Sequence, residues 1–550
     1  MGEFSRRAFV RDTAILGGAA TLPVLGTGSG TAAAAAPDAA PSAAPSAAAG
    51  VADGAAVTVR KGDARYPSLV TGANLRFTGT PDEIRVVGST EQVVAAVQEA
   101  VDSGRRIVVR SGGHCDEDFT TSPGIRVVID MAGLDDVSYD TARGAFSVQP
   151  GARLGQVYQA LYKGWGVTLP GGVCPTVGAG GHIVGGGYGA LSRQFGLTVD
   201  HLYGVEVVVV DAAGRARAVV ATRESDDPNR ELWWAHTGAG GGNFGVVTRY
   251  WLRTPGSGPE PREQLPTPPS KVLVTDVSWS WDGMTEAAFS RLLRNFSAWY
   301  EQNSAPGSPQ SRLFSRLTPQ HRSAGSFRLV AQVDATLPDA EQLLDDHLAA
   351  LQAGTGLKHQ VNDRATVPWL YAVTEWFGLV ESLMPRWKAK SSYQRKAFPD
   401  DQLKALWKYL TREDYVNPYA LVAIVGFGGQ INAVAPGDTA VAQRDSVLKL
   451  LYVSHWTDPA QEAEHTAWVR DLYRDVHAAT GGVPRTDGVN DGCYINYADA
   501  DMADPKLNDS GIPWHQLYYK DGYQRLQKVK DAWDPRNVFT HSLAVRGGAR

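Results

Sequence analysis

Three glycine-rich segments hold the residues in this sequence best suited to chemistry. The first is Arg110-Ser111-Gly112-Gly113-His114, where a β-branched run ends on paired glycines and a histidine. Glycines in that place let backbone approach a ligand closely and point N–H groups at phosphate oxygens. Such a pair is more often a plain turn, so by itself it decides little. The second runs from Gly171-Gly172-Val173-Cys174-Pro175-Thr176-Val177-Gly178 through Ala179-Gly180-Gly181-His182 to Gly185-Gly186-Gly187-Tyr188-Gly189. Nine glycines in nineteen residues exclude a packed helix or strand. His182, Ile183, Val184 and Tyr188 are poor linker residues, so the run reads as backbone wrapped around a large planar or phosphorylated ligand. The third, Gly238-Ala239-Gly240-Gly241-Gly242-Asn243-Phe244-Gly245, leads into Val246-Val247. Gly240 to Gly245 fits G-x-G-x-x-G, but it precedes a strand instead of following one and opening a helix. The nicotinamide fingerprint therefore fails its context.

The elements that must position these segments alternate in type. Residues 84–87 read as a strand and 90–101 as an amphipathic helix, with Val93, Val94, Val97 and Val101 at helical spacing. Residues 107–109 read as a buried-type strand that delivers the first glycine pair. Strands at 127–129 and 145–149 and a helix at 154–163 follow. The Pro-rich stretch 255–269 reads as a linker. Beyond it, strands at 272–281, 327–334 and 420–427 alternate with helices at 285–300 and 339–351, the pattern of an antiparallel sheet backed by helices. A last helix is expected at 519–533. The fold class is α+β. The expected units are 55–265, 266–480, and a C-terminal segment 481–550 that returns to the first.

A length of 550 residues exceeds one ordinary domain. Hydrophobic residues at 43% and charged residues at 20% describe a soluble globular protein. A net charge of −5 gives no reason to propose a nucleic-acid partner. Residues 1–54 read as a leader: Ser5-Arg6-Arg7-Ala8-Phe9-Val10 looks like a twin-arginine export signal, and an Ala/Pro-rich run follows. The apolar stretch 14–25 is too short and Gly-rich for a membrane span, so no membrane anchoring is expected. That export route carries folded proteins, which suits one that acquires a cofactor before it leaves the cytoplasm. The three cysteines, Cys115, Cys174 and Cys493, do not describe a disulfide framework, so at least one is free, buried or chemically used. No cluster has metal-ligand spacing, and no metal is expected.

Taken together, residues 109–118, 171–200, 233–247, 493–501 and 533–540 resemble the berberine-bridge-enzyme-like FAD-linked oxidases of the vanillyl-alcohol oxidase fold. The likeness runs from about residue 65 to the C-terminus. It implies a two-part FAD-binding domain and a substrate domain built on the antiparallel sheet. In that family the histidine of an R-S-G-G-H turn carries the 8α-methyl of the flavin, and here it is His114. The cysteine of a G-x-C-P-T-V-G run bonds flavin C6, and here it is Cys174. Two covalent attachments are implied. Arg110, Ser111, Gly112 and Gly113 fall at cofactor-binding positions of the first turn. Val177, Gly178, Gly180, Gly181 and His182 do so in the long run, with Gly186 and Gly187 after them. Val247, Asn496 and Asn537 complete the set, although Asp534-Pro535-Arg536-Asn537 is also a good turn sequence.

Alcohol oxidation needs a group to take the hydroxyl proton while hydride leaves carbon for flavin N5. Family members that oxidise sugars or secondary alcohols place a tyrosine of a Y-x-N-Y segment over the flavin, and both Tyr494 and Tyr497 fit. A free tyrosine, with a pKa of ~10, is a poor base until its phenolate is stabilised. On an extended strand the two would face opposite sides, so one alone would serve. Gln430 matches the place where relatives carry Glu or Gln beside the substrate. Its neutrality favours tyrosine-based oxidation over berberine-type ring closure. Tyr371, Trp376, Phe377 and Tyr419 are placed along the cleft by analogy. Val177 stands where a valine accompanies reaction with oxygen. The implied enzyme takes hydride from an alcohol, a sugar hydroxyl on a free sugar or a glycosylated natural product, and returns it to O2 as hydrogen peroxide. The alternative is a tailoring oxidase acting on a non-sugar alcohol or driving oxidative cyclisation.

Overall fold

Helix Thr90–Asp102 starts where the Ser89 side chain accepts a hydrogen bond from the Gln92 N–H, and it buries Val93, Ala96, Val97 and Ala100. In the computed structural model, which describes residues 54–377 and 385–548, this helix lies in a core between two sheets. One is four-stranded, in the order Val57–Arg60, Glu83–Val86, Val127–Asp130, Ile107–Arg110, with the last three parallel. The other is five-stranded and antiparallel, in the order Val137–Asp140, Ala145–Val148, Val246–Leu252, Leu202–Val210, Ala216–Thr222. The first glycine segment leaves the end of Ile107–Arg110, the second lies between helix Leu154–Trp165 and strand Leu202–Val210, and the third leads into Val246–Leu252.

A seven-stranded antiparallel sheet follows. Its order is Gln360–Pro368, Lys271–Ser280, Ser326–Asp334, Leu313–Thr318, Ala420–Gly426, Leu448–Trp456, Arg386–Gln394. Helices Glu286–Gln302, Ala340–Gln352, Asp400–Thr411 and Glu462–Val476 pack with it. Its edge strand Arg386–Gln394 is not left open. Tyr393 N–H donates to the Gly492 carbonyl at 2.8 Å, and Arg395 N–H to that of Val489 at 2.7 Å. Covering an edge in this way removes a template for aggregation.

The remaining chain ties back to the first two sheets. Tyr519 Oη donates to the Ala239 carbonyl at 2.8 Å, and Lys530 Nζ to that of Asn243 at 2.7 Å. The last helix forms as two pieces, Trp514–Tyr519 and Tyr523–Trp533. Two expectations need correction. Residues 255–269 are no loose linker: Gln264 and Leu265 are buried, and Thr168 N–H donates to the Pro266 carbonyl at 2.8 Å. The long glycine run does contain a short helix, Ala179–Val184. Gly180 there presses on Pro150 and Ser111, where a Cβ would lie 3.0 Å from each. Close packing outweighs the poor helix propensity of glycine. The twin-arginine segment lies outside the described residues, among which no helix is long and apolar enough to cross a membrane.

Candidate active site

The three glycine segments converge on a cavity of about 530 Å³, whose opposite wall is one face of the seven-stranded sheet. Glycine serves this wall in two ways. Gly112 and Gly178 pack backbone to backbone, and a Cβ on Gly178 would lie 2.2 Å from the Gly112 nitrogen. Gly181 faces the cavity itself, where an added Cβ would meet nothing within 4 Å. Gly113 and Gly180 also line it. Arg110 and Ser111 do too, but their polar atoms hold the turn. Arg110 Nη2 and Nε reach Asp130 at 2.5 and 2.9 Å, and Ser111 Oγ donates to the Pro150 carbonyl at 2.5 Å.

His114 and Cys174 come together. His114 Nε2 and Cys174 Sγ lie 3.1 and 3.3 Å from one hydroxyl, Thr176 Oγ1. The backbone before Cys174 is pinned from both sides: Tyr158 Oη donates to the Gly172 carbonyl at 2.6 Å, and Gly172 N–H donates to His182 Nε2 at 3.1 Å. His182 is partly open to the cavity yet enclosed by protein, and that burial lowers its pKa to about 4. It therefore stays neutral and keeps accepting.

At the sheet wall stands a cluster of tyrosines. Tyr494 to Tyr497 is a turn, closed by Tyr497 N–H on the Tyr494 carbonyl at 3.0 Å. The alternation of an extended strand does not apply, and both rings fall on one side, 5.1 Å apart and edge to face. Lys449 Nζ sits among three rings, 4.2 Å from the centroid of Tyr188, 4.5 Å from Tyr494 and 4.6 Å from Tyr497. Burial without a carboxylate lowers its pKa to about 7. Burial also pushes Tyr494 up to about 12, while the Asn496 amide, donating at 3.0 Å, and the Gly187 N–H pull it back. Tyr188 gives its own proton to the Gly426 carbonyl.

Family comparison agrees with this geometry. Residues 81–218 match the model described as FAD binding domain, and residues 493–546 that of berberine and berberine like. The aclacinomycin-N/aclacinomycin-A oxidase of Streptomyces galilaeus is 48% identical over 99% of both chains. The chain belongs to the berberine-bridge-like family of FAD-linked oxidases. A hexose oxidase of Chondrus crispus is 32% identical over 89% of this chain and 95% of its own. The crystal structure of a glycopeptide hexose oxidase complexed with teicoplanin superposes with a TM-score of 0.86 at 51% identity, covering 90% of this chain and 99% of that one.

As an FAD-linked oxidoreductase of this family, the chain has residues that fit the cofactor. The cavity is lined by three stretches of glycine backbone, it carries open space at Gly181, and its volume is that of a ligand site. Val177, Val247 and Asn496 line it. Gly186 and Gly187 do not: they shape the turn before Tyr188, and Gly187 serves Tyr494. Asn537 is exposed in the turn that its own N–H closes on the Asp534 carbonyl at 2.9 Å, and Phe539, Thr540 and His541 reach the cavity in its place. Gln430 is exposed on the short helix Gly429–Ala433, away from the cavity. Tyr371, Trp376, Phe377 and Tyr419 are not lining residues either. Sequence reasoning missed Lys449. Its signal was a lone lysine in the apolar strand Leu448–Trp456.

Proposed function

We propose that this oxidase carries FAD on two covalent bonds, at His114 and Cys174, and oxidises a hydroxyl of a sugar borne on a larger apolar scaffold. The reading rests above all on the Tyr494 oxygen. It accepts from two N–H donors beside a lysine whose pKa is about 7. The two donors favour phenolate and oppose the burial that raises Tyr494 to about 12, and Lys449, neutral above about pH 7, is placed to take the phenol proton. Tyr494 is the base that takes the substrate hydroxyl proton, and Lys449 shares that proton near neutral pH. Asn496 orients the phenol, and its amide is itself held by the His182 carbonyl at 2.9 Å. The chemistry supplied by bound FAD is acceptance of hydride and its return to O2 as hydrogen peroxide. Val177, a short side chain on the wall, leaves oxygen room.

The sheet face beyond the tyrosines supports this substrate class. Ala423 pairs with Leu451, and Leu421 with Val453 beside Ala389, before the face ends at His455 and Trp387. From Lys449 to His455 is about 20 Å along an antiparallel strand. Arg316, Thr318 and His455 offer polar contacts at the margins of this face, and the apolar stretch between them would bury the surface of a flat scaffold. The relatives named for aclacinomycin and solved with teicoplanin agree with this reading. Export by the twin-arginine route, from Arg6-Arg7, belongs to the same proposal.

The test is to precipitate the purified protein with acid and take the absorption spectra of pellet and supernatant. Yellow colour is expected in the pellet, lost stepwise in His114→Ala and Cys174→Ala. Colour freed into the supernatant of the wild type would refute the covalent bonds. Peroxide release with glycosides, compared with free hexoses, then tests the substrate class.

A further inference from the structure

The back of the edge strand Arg386–Gln394 holds a charge cluster that the oxidation does not use. Trp387 and Ala389 face the cavity, so Lys388 and Lys390 face away from it. Lys388 Nζ lies 2.5 Å from Glu117 Oε1, 2.7 Å from Asp499 Oδ1 and 3.3 Å from Asp501 Oδ2. Lys390 Nζ lies 2.6 Å from Asp499 and 3.0 Å from Asp501. Arg470, from helix Glu462–Val476, forks onto Asp501 with two contacts of 2.8 Å. Three cations meet three carboxylates, and apart from Arg470 no side chain is more than 7% exposed.

The carboxylates come from two separate parts of the site. Glu117 is the third residue after His114, and Asp499 the second after Tyr497. One ammonium thus bonds the loop that bears His114 and the segment that bears both tyrosines. Trp387 Nε1 adds a hydrogen bond to Asp116 at 2.8 Å in the same loop. A buried ion cluster is seldom more stabilising than apolar side chains of equal volume, so stability alone gives no reason for it. Fixed geometry does: a misplacement of about 1 Å can cost 10²-fold in rate.

We propose that Lys388 is a positioning residue that locks the His114 loop to the tyrosine segment and so fixes the flavin attachment point relative to the base. Its His114 readout rests on the covalent reading above. The alternative is a merely structural cluster.

A charge-balanced pair of substitutions separates the two. Lys388→Met with Glu117→Gln removes one cation and one anion, and leaves Lys390 and Arg470 facing Asp499 and Asp501. On the holoenzyme, one measures the thermal midpoint, the flavin carried by the His114 and Cys174 peptides after digestion, and kcat with KM. The expected result is a midpoint within a few degrees of wild type and a fully flavinylated Cys174 peptide. The His114 peptide should be less than half modified, with kcat at least tenfold lower and KM moved less than threefold. Wild-type flavinylation and kcat in the double variant would overturn the proposal. The control is Arg444→Met with Asp200→Asn, which removes another buried ion pair, 2.7 Å apart, that does not touch the His114 loop. An equal loss of flavin there would also overturn it. If the wild-type His114 peptide carries no flavin, the covalent reading fails; kcat alone then decides, a tenfold loss supporting the lock and an unchanged value overturning it.

Discussion

Lys449 and Lys388 stand on neighbouring paired strands of one sheet, 2% and 1% exposed. Their electrostatics are opposite. Burial lowers Lys449 to about 7, and among the described residues it has no ion-pair partner. Burial works against the charge of Lys388 as well, but Asp499, Glu117 and Asp501 outweigh it and hold the amine above the usual lysine range. The two lysines share residue type and burial and differ in the face they occupy. The cavity face offers ring faces and phenols, and the back face offers carboxylates. One lysine can therefore move a proton at neutral pH, and the other can only hold a shape.

The contrast can be broken or sharpened by substitution. The largest effect is expected for Tyr494→Phe, a fall of about 10³-fold in kcat/KM measured by peroxide release, because the hydroxyl proton loses its acceptor. Tyr497→Phe should cost less than tenfold. Equal losses would mean that the pair acts as one unit. Next comes Lys449→Met, expected to cost about 10²-fold. In the wild type kcat/KM should rise as pH climbs through about 7, where Lys449 gives up its proton. In Lys449→Met that rise should move up toward the Tyr494 value of about 12. A wild-type profile flat between pH 6 and 8 would remove Lys449 from the mechanism.

The remaining effects are on stability, and they should have opposite signs. Lys449 is charged in the unfolded chain up to about pH 10.4 but neutral in the folded one above about 7. Its burial cost is thus full below pH 7 and fades as pH rises to 10.4. Lys449→Met should melt a few degrees higher than wild type at pH 6 and show no gain near pH 10. Lys388→Met leaves Glu117 without its cation and should lose about 3–5 kcal/mol at neutral pH, read by calorimetry.

What could be read from the sequence was governed by local rules. The Ser89 cap and the valines after it mark helix Thr90–Asp102, and the glycines mark the cavity wall. Cys174 and His114 were paired only through a family resemblance, although Thr176 does bring them together. The sheet wall was less legible. Which residue faces the cavity depends on register between distant strands, such as Tyr393 opposite Lys449, and spacing along one strand does not report that. Gln430, expected beside the substrate, is exposed on Gly429–Ala433 instead. The two tyrosine rings fall on one side because a turn, and not extended chain, occupies residues 494–497.

The cavity wall has a consequence for the timing of synthesis. Arg106 donates to the Thr540 carbonyl across 434 residues, and Asn74 to that of Trp387 across 313. Val108 near one end of the chain and His541 near the other line the same space. A ribosome adding about 5–20 residues per second needs roughly 30–110 s to make 550 residues, and no complete wall exists before the last of them emerge. Contacts so far apart in sequence also fold slowly. Cofactor capture therefore waits for Phe539 to His541, and a chain cut short before Phe539 would have no finished site to load.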